Sequence, residues 1–199
     1  GTGIVAHIPG RDPSKGSIAL RADIDALPIQ EDTGLPFSSK VPGVMHACGH
    51  DGHTSMLLGA AVLLTNEPEL PVPVKLIFQP AEEGVRGAKS MVGAGVLDDV
   101  DYLLGLHVFT GWALGEIHPG MGGFAATEKF DALFTGVPAH AGGNPPEGQN
   151  ALLAAAAAVL HLYAISRHGD GATRVNVGQM QAGISRNVIA PRANLVAET

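Results

Sequence analysis

Three short apolar runs, "SIAL", "VKLIF" and "DYLLGL", each break off into polar residues: "RADID" (Arg21 to Asp25), "PAEEG" (Pro80 to Gly84) and His107. Runs of this length, separated by longer helical stretches, read as buried strands of a parallel-rich sheet. "HTSMLLGAAVLLTN" and "RGAKSMVGAGV" read as the helices between them, and the prolines of "NEPELPVP" stop the first before the next strand. Strand, helix, strand, helix, strand is an α/β layer. In open α/β sheets the ligand crevice lies beyond the carboxyl ends of the strands. Asp23, Asp25, Glu82, Glu83 and His107 are therefore expected on one rim, and "HACGHD", opening into a helix near Asp51, is placed to join them.

From about Gly115 the texture changes. "GEIHPG", "TEKFDALFTG", "TRVNVGQMQAG" and "NVIAPRANLVAET" read as strands, "GGNPPEG" as a turn, and "GQNALLAAAAAVLHLYAISRH" as one alanine-rich helix packed closely on them. The expected organisation is an α/β domain over residues 1–114 and a smaller α+β domain over residues 115–199. The 199 residues, 45% hydrophobic and 16% charged, suit a packed globular chain. A net charge of −7 with scattered Lys and Arg removes the electrostatic reason to bind nucleic acid or an anionic membrane. One cysteine forbids an intrachain disulfide, which points to a reducing, cytoplasmic setting. The longest apolar runs, such as "ALLAAAAAVL", are too short to span a bilayer. The chain begins at Gly1 without Met and stops inside the predicted strand "NLVAET"; both ends are expected to be cuts in a longer protein.

The nonapeptide "HACGHDGHT" (His46 to Thr54) concentrates three histidines and the single thiol. Cys and His beside paired carboxylates suit zinc, cobalt, nickel or manganese better than calcium or magnesium. The Cys48-Gly49-His50 spacing lets both side chains face a shared metal pair, with Cys48 as a ligand, in a bridging position. His46 and His53 are expected in supporting roles, and Asp23 and Asp25 either cap the next element or orient a ligand imidazole. A bound cation acidifies a water and polarises a carbonyl, while a nearby carboxylate removes the proton. Adjacent Glu82 and Glu83 can divide that labour, one free as base and one on metal. Two other readings compete. A cysteine hydrolase built on Cys48 conflicts with the acids around it, which disfavour a thiolate. A metal-binding scaffold without chemistry has no need of a second, non-ligating glutamate.

"LRADIDALPI", "MHACGHDGHT", "LIFQPAEEG" and "GLHV", in this order, resemble the amidohydrolase branch of the aminoacylase and carboxypeptidase-G metallopeptidase superfamily, which includes hippurate hydrolases and plant indole-acetyl-amino-acid hydrolases. "TEKFDALFTGVPAHAG", "NALLAAAAAVLHLYAI", "ATRVNVGQMQAG" and "RNVIAP" are similar to the group within it that cleaves p-aminobenzoyl-glutamate. The resemblance covers nearly the whole chain. It implies a two-metal catalytic domain interrupted by a lid or dimerisation domain, and two divalent transition-metal ions, manganese or zinc. Cys48, His50, Glu83 and His107 match metal ligands, Glu82 the general base, and Asp25 the aspartate behind the metals. Asp23 stands where wider relatives carry a ligand histidine. His140 matches a lid histidine that reaches a partner's site to steady the oxyanion, and Asn187 a residue near the substrate carboxylate. The family's further ligand histidine would fall beyond Thr199, so both domains are expected to be incomplete. The implied substrates are N-acyl or aroyl amino acids, glutamate amides first, hydrolysed by a homodimer or a hetero-oligomer with a related chain. Arg186, next to Asn187, is the candidate cation for a substrate carboxylate. Arg174, His118, His161 and His168 are expected at the surface or in packing.

Overall fold

All six residues of Val74–Gln79 are buried, as befits a strand with neighbours on both edges. In the computed structural model, which describes residues 1–12, 14–84, 86–120, 126–166, 171 and 173–199, this strand is the third of four in a mixed sheet. The four are β1 (Ile4–Ile8), β2 (Ser17–Asp23), β3 (Val74–Gln79) and β4 (Val100–Gly105), in the order β1-β3-β2-β4. β2 pairs parallel with β3, where Leu20 faces Leu76, and parallel with β4, where Leu20 faces Leu104. The antiparallel β1 on the outer edge of β3 is an addition to the parallel sheet expected from sequence.

Helix α1 (His50–Asn66) carries the chain from β2 to β3, and α2 (Gly87–Gly93) from β3 to β4. The first connection moves one strand to one side of β2 and the second moves back past it. By the general rule that such crossovers are right-handed, connections of opposite direction leave a sheet on opposite faces, and the ligand crevice is expected at the carboxyl ends of β2 and β3. Under α1 the core is Ile8, Ala22, Leu57, Val74, Leu76 and Phe78. β4 closes the sheet on its other side and stays exposed: Tyr102, Leu103 and Leu104 all face solvent.

The chain divides into two compact units, Gly1–Glu116 and Ile117–Thr199. The second holds an antiparallel sheet of β5 (Lys129–Thr135), β6 (Asn176–Ala182) and β7 (Arg192–Glu198) in the order β5-β7-β6, with helix α3 (Ala151–Tyr163) on it. Small side chains bring α3 close to the strands: Ala151 and Ala155 pack against Ala193 and Leu195, and all four are buried. Asn150 begins the helix, its side-chain oxygen accepting the Leu152 and Leu153 N–H groups. "GEIHPG" forms no strand, and Ile117 lies in solvent. The predicted helix ends at Tyr163, and His168 lies outside the described residues. Among the described residues no helix is long and apolar enough to cross a membrane.

Candidate metal centre

Each strand end delivers its polar residues to one place. Asp23 is the last residue of β2, Glu82 and Glu83 follow β3 by three and four positions, and His107 follows β4 by two. Cys48 and His50 arrive from the other direction, at the start of α1. Gly49 between them has φ 83°, a left-handed conformation that glycine adopts at no steric cost. Before Glu82 the chain makes a second sharp turn at Ala81, φ 52°.

Three overlapping sets of donors result: Cys48, His50 and His107; Asp23, His50 and His53; and His50, Glu82 and Glu83. Within each set the ligating atoms lie within 4.8 Å of one another. His50 belongs to all three and is buried. Its Nδ1–H donates to the Asp25 carbonyl at 2.9 Å, which leaves the lone pair on Nε2. That Nε2 is buried without a hydrogen bond, 3.6 Å from Asp23 Oδ2 and 3.9 Å from Glu82 Oε2. A buried imidazole nitrogen facing carboxylates with nothing between them is costly unless a cation completes the group. His107 is arranged alike: Nδ1–H donates to the Val108 carbonyl at 2.6 Å, and Nε2 faces Cys48 Sγ at 3.4 Å. Sulfur, imidazole and carboxylate together fit a borderline-soft divalent ion.

Asp25 braces the rim. Its Oδ2 accepts the Glu83 N–H at 3.1 Å, and its Oδ1 stands 3.5 Å from His50 Nδ1. The Glu82 side chain remains 43% exposed, open to a water or substrate. Burial pushes the Cys48 thiol up, and Glu83, Glu82 and Asp23 push it in the same direction. Without a cation the group is a neutral thiol, which argues against a cysteine nucleophile.

Burial alone would raise the Asp23 carboxyl, but the hydrogen bond from His53 and the charge of Arg21 outweigh it and hold the carboxyl below its usual value. Asp23 Oδ1 accepts His53 Nδ1–H at 2.6 Å, and Oδ2 accepts from Arg21 at 2.7 Å. His53 is thus no simple ligand, since its Nε2 already accepts the Val108 N–H at 3.0 Å. His46 is exposed and belongs to none of the three donor sets.

The profile of "Peptidase family M20/M25/M40" matches residues 19–188, a span that runs from β2 past every residue of this cluster. The chain belongs to this peptidase family. Its M20 relatives include the indole-3-acetyl-aspartic acid hydrolase of Enterobacter agglomerans, 54% identical over 206 residues, covering 100% of this chain and 47% of that protein. A chain of the Escherichia coli p-aminobenzoyl-glutamate hydrolase, named as one of its subunits, is 52% identical with the same coverages. Among solved structures, the aminobenzoyl-glutamate utilization protein of Klebsiella pneumoniae superposes with a TM-score of 0.69 at 47% identity, over 98% of this chain and 44% of that one. A Bacillus subtilis protein described as a dinuclear metal binding peptidase of the M20 family gives 0.66 at 38%, over 100% of this chain and 51% of that one. The chain spans about half the length of the relatives it matches.

The second unit, taken by itself, brings two of the predicted residues together. His140 and Val188 form an isolated antiparallel bridge, and the Ala141 N–H donates to the Asn187 carbonyl at 3.0 Å. Asn187 Oδ1 accepts from Ser185 Oγ at 2.7 Å, and Arg186 is exposed beside it. His140 Nδ1 accepts two backbone N–H groups, from Gly142 at 3.1 Å and Gly143 at 2.9 Å. Its ring proton therefore sits on Nε2, which makes that nitrogen a donor. Arg174 is exposed, as are His118 and His161. The sequence did not announce Val108 as part of the site; the i, i+3 spacing of His50 and His53, which sets both on one helix face, was the available sign of His53's place in it.

Proposed function

We propose that this chain carries the core of a dinuclear metal-dependent amidohydrolase that cleaves N-acyl and N-aroyl amino acids. The reading rests on one observation above the others: the buried His50 Nε2, its tautomer fixed from behind, faces Asp23 and Glu82 without a hydrogen bond. Cys48, His50, Glu83 and His107 would hold two divalent transition-metal ions, manganese or zinc. Such ions, when bound, supply the positive charge that acidifies a water and polarises the scissile carbonyl. Glu82 takes the proton of the attacking water at its exposed carboxylate and passes it to the leaving nitrogen. Asp25 keeps the Glu83 backbone and the His50 ring in place during this transfer. The second unit acts as a lid or dimerisation domain. His140 donates from Nε2 to the developing oxyanion in a partner's site, and Asn187 and Arg186 bind the substrate carboxylate.

The names of the relatives favour p-aminobenzoyl-glutamate or indole-acetyl-aspartate as first substrates, and the naming of one of them as a subunit favours assembly with a second copy or a related chain. The test separates binding from chemistry. Elemental analysis should find metal in the unsubstituted chain and in Glu82→Gln, and little in Cys48→Ser or Glu83→Gln. At the relatives' full length, Glu82→Gln should lose about 10²- to 10⁴-fold in release of p-aminobenzoate or indole-acetate. Near-normal turnover in Glu82→Gln would remove the base assignment, and metal-free protein at the relatives' full length would remove the centre.

A further inference from the structure

We propose that His53 is a positioning residue that sets the His107 imidazole against Cys48 by holding the Val108 peptide. Pairing between β2 and β4 stops at Arg21 and Gly105, so the segment carrying His107 leaves the sheet before it reaches the site. What anchors it comes from α1. His53 sits one turn after His50, is buried, and uses both ring nitrogens: Nδ1–H donates to Asp23 Oδ1, and Nε2 accepts the Val108 N–H. Because the peptide N–H can only donate, the neutral Nδ1–H tautomer is the one that serves both contacts. The Val108 carbonyl at the other end of the same residue receives His107 Nδ1–H, which turns His107 Nε2 toward Cys48. The two rings also meet edge to face, with centroids 4.6 Å apart at 70°. The Val108 side chain lies over Gly49, where a Cβ would come within 2.5 Å of Val108 Cγ2. One residue thus receives His53, orients His107 and packs on the turn between Cys48 and His50. Asp23, placed where a metal contact was the expectation for wider relatives, instead fixes the tautomer of the histidine that holds this segment.

The metal-dependent part of this inference rests on the proposed centre, so the experiment reads two signals. In the metal-free chain, hydrogen exchange reports the Val108 amide; on titration with cobalt(II), the thiolate-to-cobalt charge-transfer band reports Cys48 joining the ion. His53→Asn keeps a donor near the Nδ1 position and loses the acceptor for Val108, whereas His53→Gln carries an acceptor to the Nε2 position. The expected result is loss of Val108 amide protection in His53→Asn, with cobalt affinity about 10- to 100-fold weaker. His53→Gln should retain the protection and most of the affinity. Unchanged exchange in His53→Asn, or equal loss in both variants, would overturn the proposal. If the unsubstituted chain gives no charge-transfer band, the metal centre fails, and the amide exchange still decides the role of His53. If His53→Asn does not fold, His53→Gln decides it alone: retained protection supports the clamp and lost protection refutes it.

Discussion

Replacing Gly49 by alanine should damage this protein twice over, and the two parts can be measured separately. The backbone there has φ 83°, and an L-residue in the left-handed region costs roughly 1–2 kcal/mol. The new methyl would stand 2.5 Å from Val108 Cγ2, far inside an ordinary carbon contact of about 3.5–4.0 Å. Overpacking of that kind costs about 1–3 kcal/mol, so the total is roughly 2–5 kcal/mol. Gly34 supplies the control: its φ is 65°, and a Cβ there meets nothing within 4 Å. Gly34→Ala should lose only the backbone part, roughly 1–2 kcal/mol. In urea unfolding, with slopes of about 1–3 kcal/mol per molar, the Gly49→Ala midpoint should fall clearly below that of Gly34→Ala. Trimming Val108 to alanine removes the clashing methyl, so Gly49→Ala in a Val108→Ala background should revert toward the Gly34→Ala cost. A double-mutant cycle should then give a coupling of about 1–3 kcal/mol. If the two glycine variants lose the same stability and Val108→Ala rescues nothing, the close approach of Val108 to the Cys48–His50 turn is wrong.

Other expectations concern single groups. Without metal, Cys48 should react with iodoacetamide more slowly at neutral pH than a free thiol, and its rate should climb only above the usual thiol range; fast alkylation at pH 7 would refute the neutral-thiol assignment. Away from the site, the hydrogen bond from the buried Lys75 holds the exposed Asp99 carboxyl below its usual value. A depressed carboxyl adds stability that is complete above its unfolded pKa of about 3.9 and fades as pH falls through the folded value. Asp99→Asn should therefore destabilise the chain near neutrality and flatten the acid limb of its stability profile, and an unchanged limb would contradict the pairing.

The rim was legible because polar residues that follow strand ends are few and have one place to go. Asp23, Glu82, Glu83 and His107 each follow an apolar run directly or within five residues, so knowing the strands was nearly enough to gather them. The strand β1 escaped because Ile4–Ile8 is a short, half-exposed run with His7 inside it, and its pairing with β3 is a long-range event. "GEIHPG" misled in the opposite way: it has an apolar residue flanked by polar ones but acquires no neighbouring strand among the described residues to satisfy its backbone. The role of His53 was hidden for a related reason. Its partners, Asp23 and Val108, are 30 and 55 residues away, and Val108 takes part through its backbone, which every residue type shares.

The open side of β4 has a meaning for how many molecules behave together. Among the described residues no strand pairs with its outer edge, and Tyr102, Leu103 and Leu104 stand in solvent along it, so it is a template on which another strand can add. The same edge stands beside the segment that delivers His107. Colloidal behaviour and the proposed metal site are therefore neighbours in this fold, and a lysine placed on the β4 edge to keep the protein in solution would sit within a few residues of His107, a proposed ligand.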